Sequence, residues 1–461
     1  MSSPSSTDVV RDAGTIERYH ILLGQLGFDS GVTISGDYVS ATGSALTKET
    51  LYPALHTMIR EHGALGVQVR PGATSKVVPQ FIRLPQVDLD SIVEFLEDDA
   101  TSTDDLLRTQ LERSFALDTA VPLWRVTVVK GRTVVLSFHH AIGDGQSGPA
   151  LHAALLSALN RTAAAAASNI VAIAPDATLV APVEALTNIS VSPGGLVQML
   201  QELFTPKKLR RRAWTGGRVP RTPSLAIAVR AWGLAPPQTA ALLARCRARQ
   251  TTLTAALHVL AVGVLARVLG AHGALRGVAR IAAETPVSLR RFTGVPPVAL
   301  CDQVSSVYVS PRAVPLERGA PFPWDDARAA GEVLHARVGK TRELLGMLRL
   351  LQRMGSAESY YAEKLGKPRA CGLVISNLGR FPDGDAEKAG DAPWKLENVF
   401  FCQSDAVQGS AFKINVVGSP EGSTNITFAW SKDALEDSLG EELVREIKAT
   451  LEALLEEPIP A

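Results

Sequence analysis

Two adjacent histidines, followed closely by an aspartate and a glycine, form the pattern in this chain with the clearest chemical potential. The segment reads HHAIGDG over residues 139–145. Its four fixed positions within seven residues are expected by chance in roughly one in a thousand chains of this size. A neutral imidazole can take a proton from an alcohol or amine that attacks a thioester carbonyl, and can return it to the departing thiolate. One histidine of the pair can therefore serve both steps of an acyl transfer.

Asp144 and Gly145 suit a role in holding the loop around the histidines. A carboxylate can fix a loop by pairing with a distant arginine, and a glycine allows a tight backbone path because it has no Cβ atom. Asp144 need not contact a substrate to do this. Both residues are therefore candidate structural members of the site.

The elements on either side of the pair predict that it lies at the end of a strand. Residues 122–129 and 133–138 are apolar runs rich in valine, and the Lys130-Gly131-Arg132 turn between them is typical of a β-hairpin. Ser147 and Pro149 then suit the cap and first turn of a helix with an apolar period. His139 and His140 thus end a strand, and a helix follows.

Three other interpretations of the same residues compete with acyl transfer. Residues 143–148 match the G-x-G-x-x-G pattern of a dinucleotide-binding turn, but the preceding strand belongs to a hairpin and no acidic residue ends a second strand about 20 positions on. A metal site is disfavoured because adjacent strand residues point to opposite faces, so His139 and His140 would not easily share one ion. The third alternative is a non-catalytic binding or scaffold protein that keeps the same fold.

The composition indicates a globular protein with a small, weakly charged partner. Hydrophobic residues make up 46% of the 461 residues, charged residues 20%, and the formal net charge is +1, so no global field favours nucleic acid or an anionic membrane. The N-terminus lacks the features of a secretory or organellar signal, and the apolar run 253–269 is too short to span a bilayer, which together predict a cytosolic protein. The widely spaced cysteines fit buried thiols without a disulfide or zinc framework: Cys246, Cys301, Cys371 and Cys402.

The chain divides by pattern into two mixed α+β halves. The region around 162–221 contains an alanine run, prolines and the basic cluster 207–212, which we interpret as a solvated connector without a functional role. Strand and helix patterns on both sides lack strict βαβ alternation. The predicted organisation is an N-terminal lobe at 1–180, a linker at 181–221 and a C-terminal lobe at 222–461.

The HHxxxDG motif resembles the signature of the condensation-domain and coenzyme A-dependent acyltransferase superfamily, which includes chloramphenicol acetyltransferase. Residues 17–28 (ERYHILLGQLGF) and 374–380 (VISNLGR) are similar to segments of its fungal and yeast alcohol acetyltransferase branch. The chain has no copy of the DFGWG element typical of plant BAHD enzymes, so their substrates do not transfer. The resemblance implies two chloramphenicol-acetyltransferase-like lobes with mixed sheets, arranged in a V around a central channel.

The resemblance also implies roles for individual residues. His140 would be the catalytic base, and His139 a packing or orienting residue. Asp144 would form a structural ion pair with an arginine of the second lobe, which we predict to be Arg290 with Arg291 as the substitute. Candidates for binding the acyl carbonyl or coenzyme A stand in a polar segment of the second half: Ser376 and Asn377.

The implied activity is transfer of an acyl group, most simply acetyl, from coenzyme A to a hydroxyl of a small, hydrophobic acceptor. It needs no metal and no bound cofactor, because acetyl-coenzyme A is a co-substrate. An amine acceptor, a longer acyl chain and a donor carried by a separate carrier protein stay open. A monomer is the expected state, since two-lobe relatives complete the site within one chain.

Overall fold

The structure is a computed structural model. The basic cluster at 207–211 and part of the predicted linker lie outside the described residues. The structure describes residues 8–29, 31–72, 74, 77–97, 101–163, 166–195, 197, 212–355, 357–382, 392–404 and 409–457.

The first half of the chain alternates short strands with helices. The predicted hairpin is present, because β7 and β8 pair antiparallel across the turn at Lys130 and Gly131, both of which have positive φ angles. The helix after the histidine pair is also present, although Gln146 rather than Ser147 caps it. The elements are β1 (Val9–Asp12), α1 (Thr15–Gln25), β2 (Val32–Ser40), α2 (Lys48–Glu61), β3 (Val67–Arg70), β4 (Gln80–Arg83), β5 (Gln86–Asp88), β6 (Val93–Leu96), α3 (Thr103–Leu111), β7 (Trp124–Val129), β8 (Thr133–Phe138), α4 (Ser147–Arg161), β9 (Ile170–Ala172) and α5 (Val183–Leu186).

The second half carries the longest helices and strands. The helix that contains the apolar run 253–269 begins at Leu253, and the Thr252 side chain accepts a hydrogen bond from the Ala255 amide as its N-cap. The elements are β10 (Ile227–Leu234), α6 (Pro236–Ala248), α7 (Leu253–Ala271), β11 (Ala283–Ser288), α8 (Arg290–Thr293), β12 (Val304–Val309), α9 (Trp324–Val338), α10 (Thr341–Arg353), α11 (Ala357–Ala362), β13 (Leu373–Asn377), β14 (Trp394–Gln403), β15 (Phe412–Gly418), β16 (Thr424–Ser431) and α12 (Asp437–Glu456).

Two large mixed sheets form the frame of the molecule. One has the strand order β14-β2-β8-β7-β6, and the other has the order β10-β16-β15-β13-β11-β12. Parallel pairs (β6 with β7, β11 with β13, β13 with β15) stand beside antiparallel ones in both sheets. The predicted α+β class with mixed sheets is therefore confirmed, and a doubly wound parallel sheet is excluded.

One strand of the second half completes the sheet of the first. Strand β14 pairs antiparallel with β2, and its side chains Leu396, Val399 and Phe401 belong to the apolar core that also contains Phe138. A second core contains the helix α7 and the inner strands of the six-stranded sheet. The lobe boundaries at 180 and 222 remain a prediction. Strand β14 belongs to the second half in sequence but to the first sheet in the structure.

The apolar helix α7 lies inside the protein. Among the described residues it is the helix with the length and composition to cross a membrane, yet 72% of its most apolar window is buried. The apolar run 253–269 therefore forms a mostly buried helix. All four cysteines are free and buried, as expected.

Candidate active site

The histidine pair lies immediately after β8, where the chain leaves the sheet in a short turn. The backbone amide of His139 still bonds to the carbonyl of Leu123, at 2.9 Å, and residues His140–Ile142 then form one turn of 3₁₀ helix. The Nδ1 atom of His139 accepts a hydrogen bond from the Ala141 amide at 3.0 Å, so this side chain caps the turn that carries His140.

Helix α1 closes over the pair from the first half of the chain. A Cβ atom on Gly24 would lie 2.7 Å from Nε2 of His139, so glycine is needed for the helix to approach this closely. His20, one helical turn before Gly24, lies on the same face of α1 and stacks on the ring of His140. His139 is therefore held against α1 and caps the turn, whereas His140 stacks against His20.

Asp144 and Arg290 form a buried ion pair between the two halves of the chain. The Nη1 atom of Arg290 donates to Oδ2 of Asp144 at 2.5 Å, and the side chains are 6% and 2% exposed. Asp144 also accepts from the amides of Ser147 and Gln303. Burial alone would lower the pKa of Arg290, but the Asp144 carboxylate beside it leaves that pKa raised, so the arginine stays charged.

The segment 301–303 docks against this loop next to the ion pair. The carbonyl of Cys301 accepts bonds from the Asp144 amide at 3.1 Å and from the Ser147 hydroxyl at 3.1 Å. The amide of Gln303 donates to Asp144, at 3.1 Å. Asp302 lies between these two anchors, so its side chain is held against the histidine turn.

Gly145 lies where β14 and the segment after β13 pack against the loop. A Cβ atom at this position would lie 2.8 Å from Cδ2 of Leu378 and 3.3 Å from the ring of Phe401. The neighbouring Gln146 donates from Nε2 to the carbonyl of Leu378 at 2.8 Å. The glycine thus allows the close approach expected of it.

The remaining predicted residues differ in how they relate to the loop. Arg291 is exposed and lies over the ring of Phe292, whereas Arg290 turns inward. Ser376 is buried in β13. Asn377 ends that strand, where its amide nitrogen donates to the Thr254 hydroxyl at 3.0 Å and its amide oxygen accepts from the Gly379 amide at 2.8 Å.

Three residues that the sequence analysis did not name, His20, Asp302 and Asp29, form a buried cluster with His140. Its ring stacks on that of His20 with centroids 3.6 Å apart and planes 1° from parallel. The carboxyl group of Asp302 faces both rings: Oδ1 lies 3.7 Å from Nδ1 of His140, and Oδ2 lies 3.7 Å from Nε2 of His20. Asp29 contacts the other side of His20, with Oδ2 at 3.3 Å from Nδ1.

Burial controls the charge of this cluster. Loss of solvation lowers the pKa of His140 to about 3, with repulsion from His20 acting in the same direction, so the imidazole is neutral at physiological pH. Loss of solvation likewise lowers the pKa of His20, and it raises the pKa of Asp302 well above its usual value. For Asp29, burial would raise the pKa, but the hydrogen bond from His20 holds it below its usual value.

The cluster has the donor types of a metal site but not the geometry. Ligand atoms of His20, His140 and Asp302 all lie within 4.8 Å of one another. The two rings are stacked with planes 1° from parallel, whereas an imidazole nitrogen binds zinc along a lone pair in its own ring plane, at about 2.0–2.1 Å. The two lone pairs therefore do not converge on one ion.

A separate cavity of about 380 Å³ opens on another side of α1. Arg18, Gln25 and Glu358 give its wall a polar character. The residues of the histidine cluster do not line it.

His20 is a histidine outside the pair that the structure brings beside His140. It stands in the segment 17–28 that carried the family resemblance, so a signal for it was present in the sequence. Asp29 and Asp302 carried no such signal. Asp302 reaches the site only because its segment is anchored to the loop of Asp144, more than 150 positions away.

The comparison with protein families matches most of the chain to one family model. The model described as "Alcohol acetyltransferase" matches residues 12–193 and 327–454. A probable alcohol acetyltransferase of Aspergillus fumigatus is 26% identical, over 92% of this chain and 95% of the relative. A probable alcohol acetyltransferase of Fusarium pseudograminearum is 27% identical, over 79% of this chain and 78% of the relative.

Solved structures with low sequence identity share the fold. The trichothecene 15-O-acetyltransferase TRI3 of Fusarium sporotrichioides superposes with a TM-score of 0.72 at 12% identity, over 98% of this chain and 96% of that one. The condensation domain of the monacolin K polyketide synthase superposes with a TM-score of 0.64 at 12% identity, over 97% and 98%. The predicted fold is therefore confirmed as that of condensation domains and related acetyltransferases.

Proposed function

The chain belongs to the alcohol acetyltransferase family, and we propose that it transfers an acetyl group from acetyl-coenzyme A to the hydroxyl of a small, hydrophobic alcohol. Family membership supports acyl transfer as the reaction class. Coenzyme A as the donor, the alcohol as the acceptor and His140 as the base are the proposed refinements. A cytosolic location and a monomeric state are proposed with them.

The state of His140 is the observation that carries the proposal. Its Nδ1 atom is fully enclosed and faces Asp302, while the residue keeps 8% of its surface exposed. Nε2 is then the ring nitrogen available to a substrate. Because burial keeps the imidazole neutral, Nε2 can carry a lone pair and accept a proton without first losing one.

The reaction follows from that lone pair. Nε2 of His140 takes the hydroxyl proton as the acceptor oxygen bonds to the thioester carbonyl carbon, which places negative charge on the carbonyl oxygen. When this intermediate collapses, the carbon–sulfur bond breaks and the thiolate of coenzyme A receives the proton from Nε2. The products are an acetate ester and free coenzyme A, and no acyl group is ever attached to the protein.

Ser376 is the residue that we propose for binding the acyl carbonyl or coenzyme A. The segment after β13 adjoins the histidine loop through the contacts of Leu378 with Gly145 and Gln146. Asn377 was the other candidate, but its amide already donates to Thr254 and accepts from Gly379. Binding by Asn377 would cost those two bonds, which favours Ser376.

Thiol release from acetyl-coenzyme A, measured with a panel of alcohols and amines, tests the proposal. The wild-type protein should release thiol only with an acceptor, and His140→Ala should lower kcat/KM by about 10²–10⁴-fold because a general base is lost. His272→Ala is the matched control, since His272 is a half-exposed surface histidine paired with Glu442. It should keep wild-type activity.

The outcomes separate the alternatives within the family. Release with amines alone would change the acceptor class, and release only from an acyl group on a carrier-protein phosphopantetheine would change the donor. Full activity in His140→Ala would refute His140 as the base. A folded protein inactive with every donor and acceptor would favour the non-catalytic scaffold.

A further inference from the structure

Four buried side chains form a continuous line that ends at the proposed base. The contacts run from Asp29 to His20 at 3.3 Å, from His20 to Asp302 at 3.7 Å, and from Asp302 to His140 at 3.7 Å. Each of the four residues is at most 8% exposed. Nε2 of His20, Nδ1 of His140 and both oxygens of Asp302 have no hydrogen-bond partner at standard distances. Unpaired polar atoms are costly inside a protein, so their mutual approach requires an explanation.

With Asp29 ionised and His20, Asp302 and His140 uncharged, one arrangement of protons gives every contact a donor and an acceptor. The pKa of Asp29 is held below its usual value, so its Oδ2 accepts from Nδ1–H of His20 while its Oδ1 accepts from the Gly31 amide. Nε2 of the neutral His20 then has a lone pair, so the facing oxygen of Asp302 must carry a proton. The other oxygen of Asp302 accepts from Nδ1–H of His140. That tautomer leaves the lone pair of His140 on Nε2.

We propose that Asp302 and His20 form a proton relay behind His140, with Asp29 as its fixed anion. This inference rests on the proposed role of His140 as the general base. Asp302 and His20 touch no substrate in it; they are positioning residues that act through His140.

The relay moves one proton for each proton that the base receives. As Nε2 of His140 takes the acceptor's proton, Oδ2–H of Asp302 passes its proton to Nε2 of His20. Asp302 is then a carboxylate beside the imidazolium of His140, and the imidazolium of His20 is paired with Asp29. Both shifts reverse when His140 protonates the leaving thiolate, so the relay returns to its starting state with no net uptake or loss.

The distances suit a bond that tightens during the reaction. A charge-assisted N–H···O bond measures about 2.8 Å, so each 3.7 Å contact has to shorten by roughly 0.9 Å once both partners are charged. The two oxygens of one carboxyl group face two stacked rings, so a small rotation of Asp302 or of either ring changes both contacts. Burial also explains why His140, His20 and Asp302 are uncharged at rest, since solvation is lost for all three.

Charged and titratable side chains from both halves of the chain face the relay. His139 and Asp144 face it from the histidine loop, Glu17 from α1, and Arg290 from the second half. Arg290 is neutralised by its pair with Asp144, so it does not by itself fix Asp302 as an anion. Cys301 next to Asp302 is uncharged, because burial raises the pKa of its thiol to about 12.

Asp302→Asn tests the relay because it keeps a donor and an acceptor in both resting contacts of Asp302. The amide oxygen can accept from His140, and the amide nitrogen can donate to His20, but the group cannot give up a proton. We expect kcat to fall at least about tenfold with KM within about twofold, and the urea midpoint of unfolding to stay at its wild-type value. His20→Phe, which keeps an aromatic ring against His140 without a proton acceptor, should lower kcat in the same way.

Glu446→Gln is the matched control for replacing a buried carboxylate by an amide. Glu446, a buried residue of α12, pairs with Arg267 and Arg318 and takes no part in the site. It should reduce stability and leave kcat unchanged. A kcat of Asp302→Asn within twofold of the wild-type value would overturn the relay.

Nitrogen-15 NMR of histidine-labelled protein tests the relay without turnover. At pH 7 both His20 and His140 should be neutral Nδ1–H tautomers. An imidazolium, or an Nε2–H tautomer at either residue, would refute the proton arrangement even if thiol release succeeds. If no substrate pair gives turnover, the proposed function fails while the NMR result still decides the resting proton arrangement that the relay needs.

Discussion

Asp144→Ala should destabilise the protein strongly, because it leaves a buried arginine without its anion. The substitution removes the 2.5 Å contact with Arg290 and the bonds accepted from the amides of Ser147 and Gln303. Arg290 is 6% exposed and cannot turn to water without opening the contact between the two halves. We therefore expect a loss that exceeds that of a surface ion pair.

Breaking a buried ion pair by removing one partner costs about 3–5 kcal/mol, against about 0–1 kcal/mol for a surface pair. The remaining bonds of Arg290, to the carbonyls of Ala299 and Cys301, hold its guanidinium in place and keep it buried. The upper half of that range is therefore the expected result for Asp144→Ala. Urea unfolding followed by circular dichroism measures it.

A double-mutant cycle separates the pair from general damage to the loop. Arg290→Met keeps most of the side-chain volume and removes the charge, so Asp144→Ala combined with Arg290→Met should lose less stability than the two single losses added together. A coupling energy of about 2 kcal/mol or more is expected from a buried, charge-assisted pair. A loss below about 1 kcal/mol for Asp144→Ala, or no coupling, would refute the assignment of the pair as a structural link between the halves.

Two further predictions concern packing and acid stability. Gly145→Ala places a methyl group 2.8 Å from Leu378, and we expect it to cost about 1–3 kcal/mol in urea unfolding and to reduce activity, while an unchanged midpoint would contradict the tight approach. Burial lowers the pKa of His139, His152 and His258 to about 4, so the unfolded chain binds their protons first and stability should fall as the pH drops from about 6.5 towards 4. Each contributes roughly 3 kcal/mol over that range, and equal urea midpoints at pH 7.5 and 5 would refute the buried, neutral state.

Much of the fold could be predicted because local patterns and tertiary packing agree. The hairpin before the histidines combines valine-rich strands with a turn whose residues accept positive φ angles, and helix α7 has a threonine cap and an apolar surface on all sides. Strand β14 illustrates the opposite case. Its pairing with β2, more than 350 positions away, depends on packing that no local pattern contains.

The choice between Arg290 and Arg291 shows where sequence reasoning about the site ends. Both residues have the same charge and adjacent positions, so spacing alone leaves either as the partner of Asp144. The short helix α8 begins at Arg290 and directs it inward, while Arg291 is left at the surface over Phe292. The direction of one helical turn therefore decides which arginine is buried.

Burial of His140 has opposite consequences for its neutral and its protonated state, and this burial is visible only in the folded structure. In the proposed reaction, burial makes His140 neutral, as a base must be before it acts, but the same burial opposes the imidazolium that would form when His140 accepts a proton. A permanent carboxylate beside Nδ1 would stabilise the buried imidazolium, but it would also raise the pKa of His140 at rest. A carboxyl group that is neutral at rest and ionises only during proton transfer avoids both problems. Asp302 lies where such a group must lie, and the stacked ring of His20 is positioned to receive its proton.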